Sequence, residues 1–128
     1  MEIVGKKSDG LSVTVLTEDR TCLIKFMDRS LNFYVTDSLK EALKETIQAK
    51  IADGVQHFVL DLDQVRIIDS CGVGLVIVAN NLTSSKGAKL YLANVKQFIT
   101  KIFKIMRIES HLAIFTTEEE ALQAIKDS

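Results

Sequence analysis

The densest run of reactive side chains is Asp69-Ser70-Cys71-Gly72-Val73-Gly74, where a carboxylate, a hydroxyl and a thiol stand in a row ahead of an apolar stretch. A serine that opens a helix faces free backbone amides and the positive end of the helix dipole, and both accommodate a phosphate without unfolding. Phosphorylation there would add about −1.5 to −2 charges in one step. The simpler role for Ser70 is an N-cap, worth on the order of 1 kcal/mol. Asp69 suits three tasks: orienting that hydroxyl, meeting the metal of a phosphatase, or capping the loop. Asp61 and Asp63 are expected near the same surface. Cys71 stands where a helix dipole favours thiolate, the setting of a redox sensor, but a small buried residue is the reading the sequence favours. Gly72 and Gly74 lower helix propensity, which implies close backbone approach to the sheet or to a partner, with packing the favoured reason.

No second constellation competes with this one. His57 and His111 have no evident nucleophile beside them, and neither a P-loop nor a dinucleotide fingerprint is present. Cys22 and Cys71 match neither a redox pair nor a zinc-ligand spacing. The expectation is therefore a non-enzyme with no catalytic residues, no metal and no cofactor; catalysis, if any, would pair Cys71 with one of the histidines.

The 128 residues, 47% of them apolar, suit one domain with one continuous core. Sixteen basic and 17 acidic residues leave a formal charge of −1, so no overall field draws the chain to nucleic acid or an anionic membrane. The first residues, Met1 to Lys7, show no export signal. The longest apolar run, Cys71 to Ala79, is about half of what a bilayer-spanning helix needs. A soluble cytoplasmic protein with reduced thiols and no integral membrane segment is expected.

Stepping outward, Leu11 to Thr17 alternates apolar and hydroxyl side chains as a strand with one buried face, and Thr21 to Phe26 returns as the second half of a hairpin across the turn Glu18-Asp19-Arg20. From Thr36 or Asp37 the period becomes helical, with Thr36 as N-cap, Leu39, Ala42, Leu43 and Ile47 on one face, and Asp53-Gly54 as terminator. Val55 to Leu62 reads as an apolar strand. A largely buried helix runs from Asp69-Ser70 to Ser85 and ends at Lys86-Gly87, and Leu90 to Ala93 is a short strand. Val95 to Ile108 predicts an amphipathic helix with Phe98, Ile99, Ile102, Phe103, Ile105 and Met106 inward. Ala113 to Phe115 is a last strand, and Thr117 with Glu120 resembles a capping box that opens a helix from Glu118 to Ile125. Alternation of strand and helix after residue 36 implies parallel strand additions with helical crossovers. The fold class is α/β, with a mixed central sheet of about five strands and about four helices.

The stretch Phe58 to Leu75, F-V-L-D-L-D-Q-V-R-I-I-D-S-C-G-V-G-L, resembles the signature of the STAS family: a strand ending in Asp-Leu, a short apolar loop, then Asp-Ser-(small)-Gly-(apolar)-Gly. The similarity extends over roughly residues 10 to 126, through Leu31-Asn32-Phe33-Tyr34, Gly87-Ala88-Lys89-Leu90 and Ile114 to Leu122. The resemblance implies a single STAS-like domain of the anti-sigma-factor-antagonist type. In that branch the serine after the aspartate is phosphorylated, which is Ser70 here. The implied partners are an anti-sigma factor with serine kinase activity, bound when Ser70 is unphosphorylated, and a serine phosphatase. The implied contact surface comprises Asn32, Asp69, Ser70, Cys71, Gly72, Val73 and Gly74. The family often has Leu-Asp at the start of its first helix, whereas Leu31-Asn32 stands here and removes a charge. The alternative is a STAS subunit of a stressosome-like or membrane lipid-transport assembly, in which Lys101, Lys104 and Arg107 would meet an acidic partner or lipid headgroups.

Overall fold

In the computed structural model, residues 2–8 and 10–128 are described; Met1 and Asp9 lie outside the described residues. The chain runs β1 (Glu2–Ser8), β2 (Leu11–Leu16), a 3-10 turn (Thr17–Asp19), β3 (Thr21–Phe26), β4 (Ser30–Leu31), α1 (Phe33–Ala52), β5 (His57–Asp61) and β6 (Ile67–Ile68). It continues through α2 (Ser70–Ser85), β7 (Lys89–Ala93), α3 (Gln97–Ile105), a second 3-10 turn (Glu109–His111), β8 (Ala113–Ile114) and α4 (Glu118–Lys126). Six strands form one sheet in the order β1-β2-β3-β5-β7-β8. The first three are antiparallel, and β3-β5, β5-β7 and β7-β8 are parallel, as the alternation after residue 36 requires. The five expected strands are present, and β1 adds a sixth at the edge.

Strand alternation sends β5 residues to two cores. Phe58 and Leu60 join Leu11, Ile24, Leu43, Ile47, Val76 and Leu92 on the larger side, and Val59 joins Tyr91, Ala121 and Ile125 beneath α4. With both faces covered, the central strands read as nearly continuous apolar runs. Each fully buried aliphatic side chain contributes roughly 1.5–3 kcal/mol by leaving water. The hairpin turn has no glycine because Arg20 itself adopts the left-handed conformation, at φ 50°. Its carbonyl accepts from the amides of Gln56 and His57 and so ties the turn to the start of β5.

Three boundaries differ from the sequence reading. Helix α1 begins three residues before Thr36, because the Asn32 side chain accepts from the Tyr34 amide and caps the helix there; Thr36 is buried in the first turn. Helix α3 is shorter than 95–108 at both ends. The Val95 amide is committed to the Phe115 carbonyl, and Arg107 turns left-handed (φ 59°) while Ile108 donates back to Phe103, a Schellman closure. The third is the pair β4 and β6, both within stretches read as loop, which form a two-stranded parallel ladder of their own, Ser30 opposite Ile67 and Leu31 opposite Ile68.

Candidate functional site

That small ladder places the starts of α1 and α2 side by side. The Arg29 carbonyl accepts from the amides of Arg66 and Ile67, and the Leu31 carbonyl accepts from the Asp69 amide at 3.1 Å. Asp69 then serves both helices. Its Oδ1 accepts from Cys71 N at 2.9 Å and Gly72 N at 3.1 Å, and its Oδ2 accepts from Phe33 N at 3.0 Å. Three amides that the two helix starts would leave unpaired, one of α1 and two of α2, are thus held by one carboxylate. The cap of α2 is therefore Asp69, and the N-cap role considered for Ser70 does not apply.

Ser70 occupies the first turn of α2, exposed, and its hydroxyl makes no hydrogen bond among the described residues. Beside it stands an apolar patch that sequence reasoning did not single out. Phe33 and Tyr34, 67% and 89% exposed, meet edge to face at 5.6 Å, and Ile67 on β6 is 61% exposed. The signal was present in Leu31-Asn32-Phe33-Tyr34, where two aromatics follow a helix cap.

The glycines divide. A Cβ on Gly72 would collide with the Leu31 carbonyl oxygen and lie 2.7 Å from Ile68 Cγ1, so only glycine lets α2 sit this close to the β4–β6 ladder. Gly74 has open space where its side chain would be, which corrects the packing expectation there. It lines a groove of about 250 Å³ with Thr36, Asp37 and Lys40 of α1 and Cys71, Leu75 and Val78 of α2. Cys71 is exposed, against the expectation of burial, and lines the groove between α1 and α2. Val73 and Gly72 are buried and support the surface from beneath; the residues of the expected set that can touch a partner are Asn32, Asp69, Ser70, Cys71 and Gly74.

The other candidates disperse. Asp61 points to the α4 side of the sheet, away from α2, where it accepts from Asn94 Nδ2 at 3.0 Å and from the Asp63 amide at 2.8 Å. Strand alternation explains the difference, since Leu60 takes the α2 side. Asp63 is exposed, and its carbonyl accepts from Lys96 Nζ at 2.6 Å. His57 begins β5, at the end of the strand remote from the α2 start, and its ring lies 6.0 Å from Tyr91. Desolvation, helped by Lys89, lowers its pKa. His111 is exposed in a 3-10 turn. Neither histidine comes to Cys71. Among the described residues no three His, Cys, Asp or Glu side chains cluster in a manner that could hold a metal ion, and no helix is long and apolar enough to cross a membrane.

With this geometry in view, a family model described as the STAS domain matches residues 13–121. The chain belongs to the STAS family. Among its relatives is the anti-sigma F factor antagonist of Paenibacillus polymyxa, 22% identical over 107 residues, which span 84% of this chain and 89% of that one. The STAS fold itself recurs in an anti-sigma-factor antagonist domain protein of Planctomyces limnophilus (TM-score 0.77, 17% identity, 91% and 97% of the two chains). It recurs also in the phosphorylated form of the Bacillus cell fate determinant SpoIIAA (TM-score 0.58, 18% identity, 98% and 99%).

Proposed function

We propose that this STAS chain is an anti-sigma-factor antagonist: a non-enzymatic binding switch that engages an anti-sigma factor when Ser70 is unphosphorylated and releases it when Ser70 carries phosphate. The observation that carries the reading is the Ser70 hydroxyl, exposed and uncommitted on a backbone held rigid by Asp69, beside the exposed Phe33, Tyr34 and Ile67. A partner that covers this patch desolvates Ser70. A phosphate there must then either keep its water or lose it inside an apolar contact next to the Asp69 carboxylate, and both outcomes oppose binding. The fold tolerates the modification because the hydroxyl contributes nothing to it. The names of the relatives point the same way, since one is an anti-sigma F factor antagonist and another a phosphorylated form.

Asn32 fits this reading. An amide caps α1 as well as a carboxylate does, so Asp69 stands alone as the acid bridging the two helix starts. The kinase activity belongs to the partner, and a serine phosphatase would reset the switch. The test is incubation with the cognate anti-sigma kinase and ATP, with mass-spectrometric mapping, beside binding measurements. Phosphate at Ser70 and at least tenfold weaker binding by Ser70→Asp are expected. Modification elsewhere, or unaltered binding by Ser70→Asp, would overturn the proposal.

A further inference from the structure

The period over 95–108 predicts six apolar side chains turned inward, yet three of them face out. Ile99 and Phe103 of α3 enter the core, whereas Phe98 and Met106 are partly exposed and Ile105 is 80% exposed. At about 100° per residue, Phe98 and Ile105 fall within about 20° of one another on a strip about 10 Å long, interrupted by Lys101. Lys104 lies beside it, and Arg107 closes its C-terminal end at the left-handed turn. No acidic residue occurs from Gln97 to Ile108, and Lys101, Lys104 and Arg107 make no hydrogen bond or ion pair among the described residues. Two exposed apolar side chains on one helix face, with Lys101 between them and Lys104 and Arg107 along one side, form a local feature of a chain of net charge −1 that neither the fold nor Ser70 accounts for.

We propose that this face of α3 docks an acidic amphipathic helix of a second partner protein. Phe98 and Ile105 have the i, i+7 spacing of apolar anchors in helix-to-helix recognition, and Lys101, Lys104 and Arg107 select Asp and Glu on the incoming helix. A bilayer suits it less well. The more apolar side of α3, Ile99 and Phe103, is committed to the core, so the helix cannot sink into an interface, and three cations alone are a weak tether. A second copy of this chain suits it poorly as well. Its acidic run, Glu118-Glu119-Glu120, has Glu120 engaged by Thr116 and Thr117 and offers only the half-buried Leu122 beside it. The α3 face shares no residue with the Ser70 surface, so substitutions test the two surfaces separately.

The test is photo-crosslinking in the native cell with the full chain carrying p-benzoylphenylalanine in place of Ile105, followed by mapping of the attached peptide. The expected adduct is a protein segment rich in Asp and Glu with apolar residues at helical spacing. Its yield should fall at least tenfold on adding Lys101→Glu with Lys104→Glu and stay unchanged with Ser70→Asp, with far-ultraviolet circular dichroism matching the parent in each case. Adducts only to lipid, only to a second copy of this chain or to a segment without that pattern would overturn the proposal. So would absence of an adduct, or a yield indifferent to charge reversal.

Discussion

Cys22 and Cys71 are the same side chain in opposite surroundings. Burial within the larger core pushes the Cys22 thiol up to about 12, with Lys50 a minor opposing influence, whereas Cys71 is exposed in the first turn of α2. A disulfide-exchange reagent at pH 8 should titrate one thiol rapidly in the native protein and the second only after denaturation; two rapid equivalents would contradict the burial of Cys22. The sequence placed Ser70 at the helix start but not the identity of the cap. Asp69, Ser70 and Asn32 are all good cap residues, and the choice rests on the β4–β6 ladder. Two residues per strand carry no periodicity, so that ladder left no pattern to read.

At the scale of elements, Gly72 and Gly74 sit two residues apart on one helix with opposite consequences. Gly72→Ala forces α2 off the Leu31 carbonyl and should cost about 1–3 kcal/mol in urea unfolding, as overpacking does. Gly74→Ala meets nothing and should raise stability by about 0.5–1 kcal/mol through helix propensity alone. Equal effects of the two would show that the approach of α2 to β4 is not tight. Helices α1, α2 and α4 were legible because each has one apolar face or is apolar nearly throughout. Helix α3 was legible as a helix but not in its orientation. Phe98, Ile99, Ile102, Phe103, Ile105 and Met106 spread over about 160° of the helix circumference, wider than the face that enters the core, and periodicity cannot say which of them meet the sheet.

For the whole molecule, the sheet separates two cores of unequal size, and the smaller holds the polar atoms without partners. Tyr91 is buried with its hydroxyl unpaired among the described residues, and Nδ1 of His57, whose ring lies near Tyr91, is likewise buried and unpaired. Because desolvation and Lys89 lower the His57 pKa from its ordinary 6.5, the unfolded chain takes up that proton at higher pH than the native one does. The stability His57 supports is therefore complete above pH 6.5 and is lost as pH falls from there toward the lower native value. Thermal melting from pH 7.5 to 5.5 should show a steeper decline for the parent than for His57→Gln, and parallel curves would count against the linkage. The parallel direction of the central strands followed from alternating strand and helix patterns. The edge strand β1, whose residues were read only for an export signal, did not.

The double attachment of Asp69 bears on how any modifying enzyme must read this protein. Three backbone amides from two helices converge on that carboxylate immediately before Ser70, so the segment cannot be drawn out as an extended strand without dismantling both helix starts. On the proposed reading, an enzyme acting on Ser70 would have to fit a folded surface contributed by residues 36 positions apart in the chain. The selectivity of such an enzyme would reside in shape, and a linear consensus around Ser70, or a short peptide copied from it, would carry almost none of the information recognised.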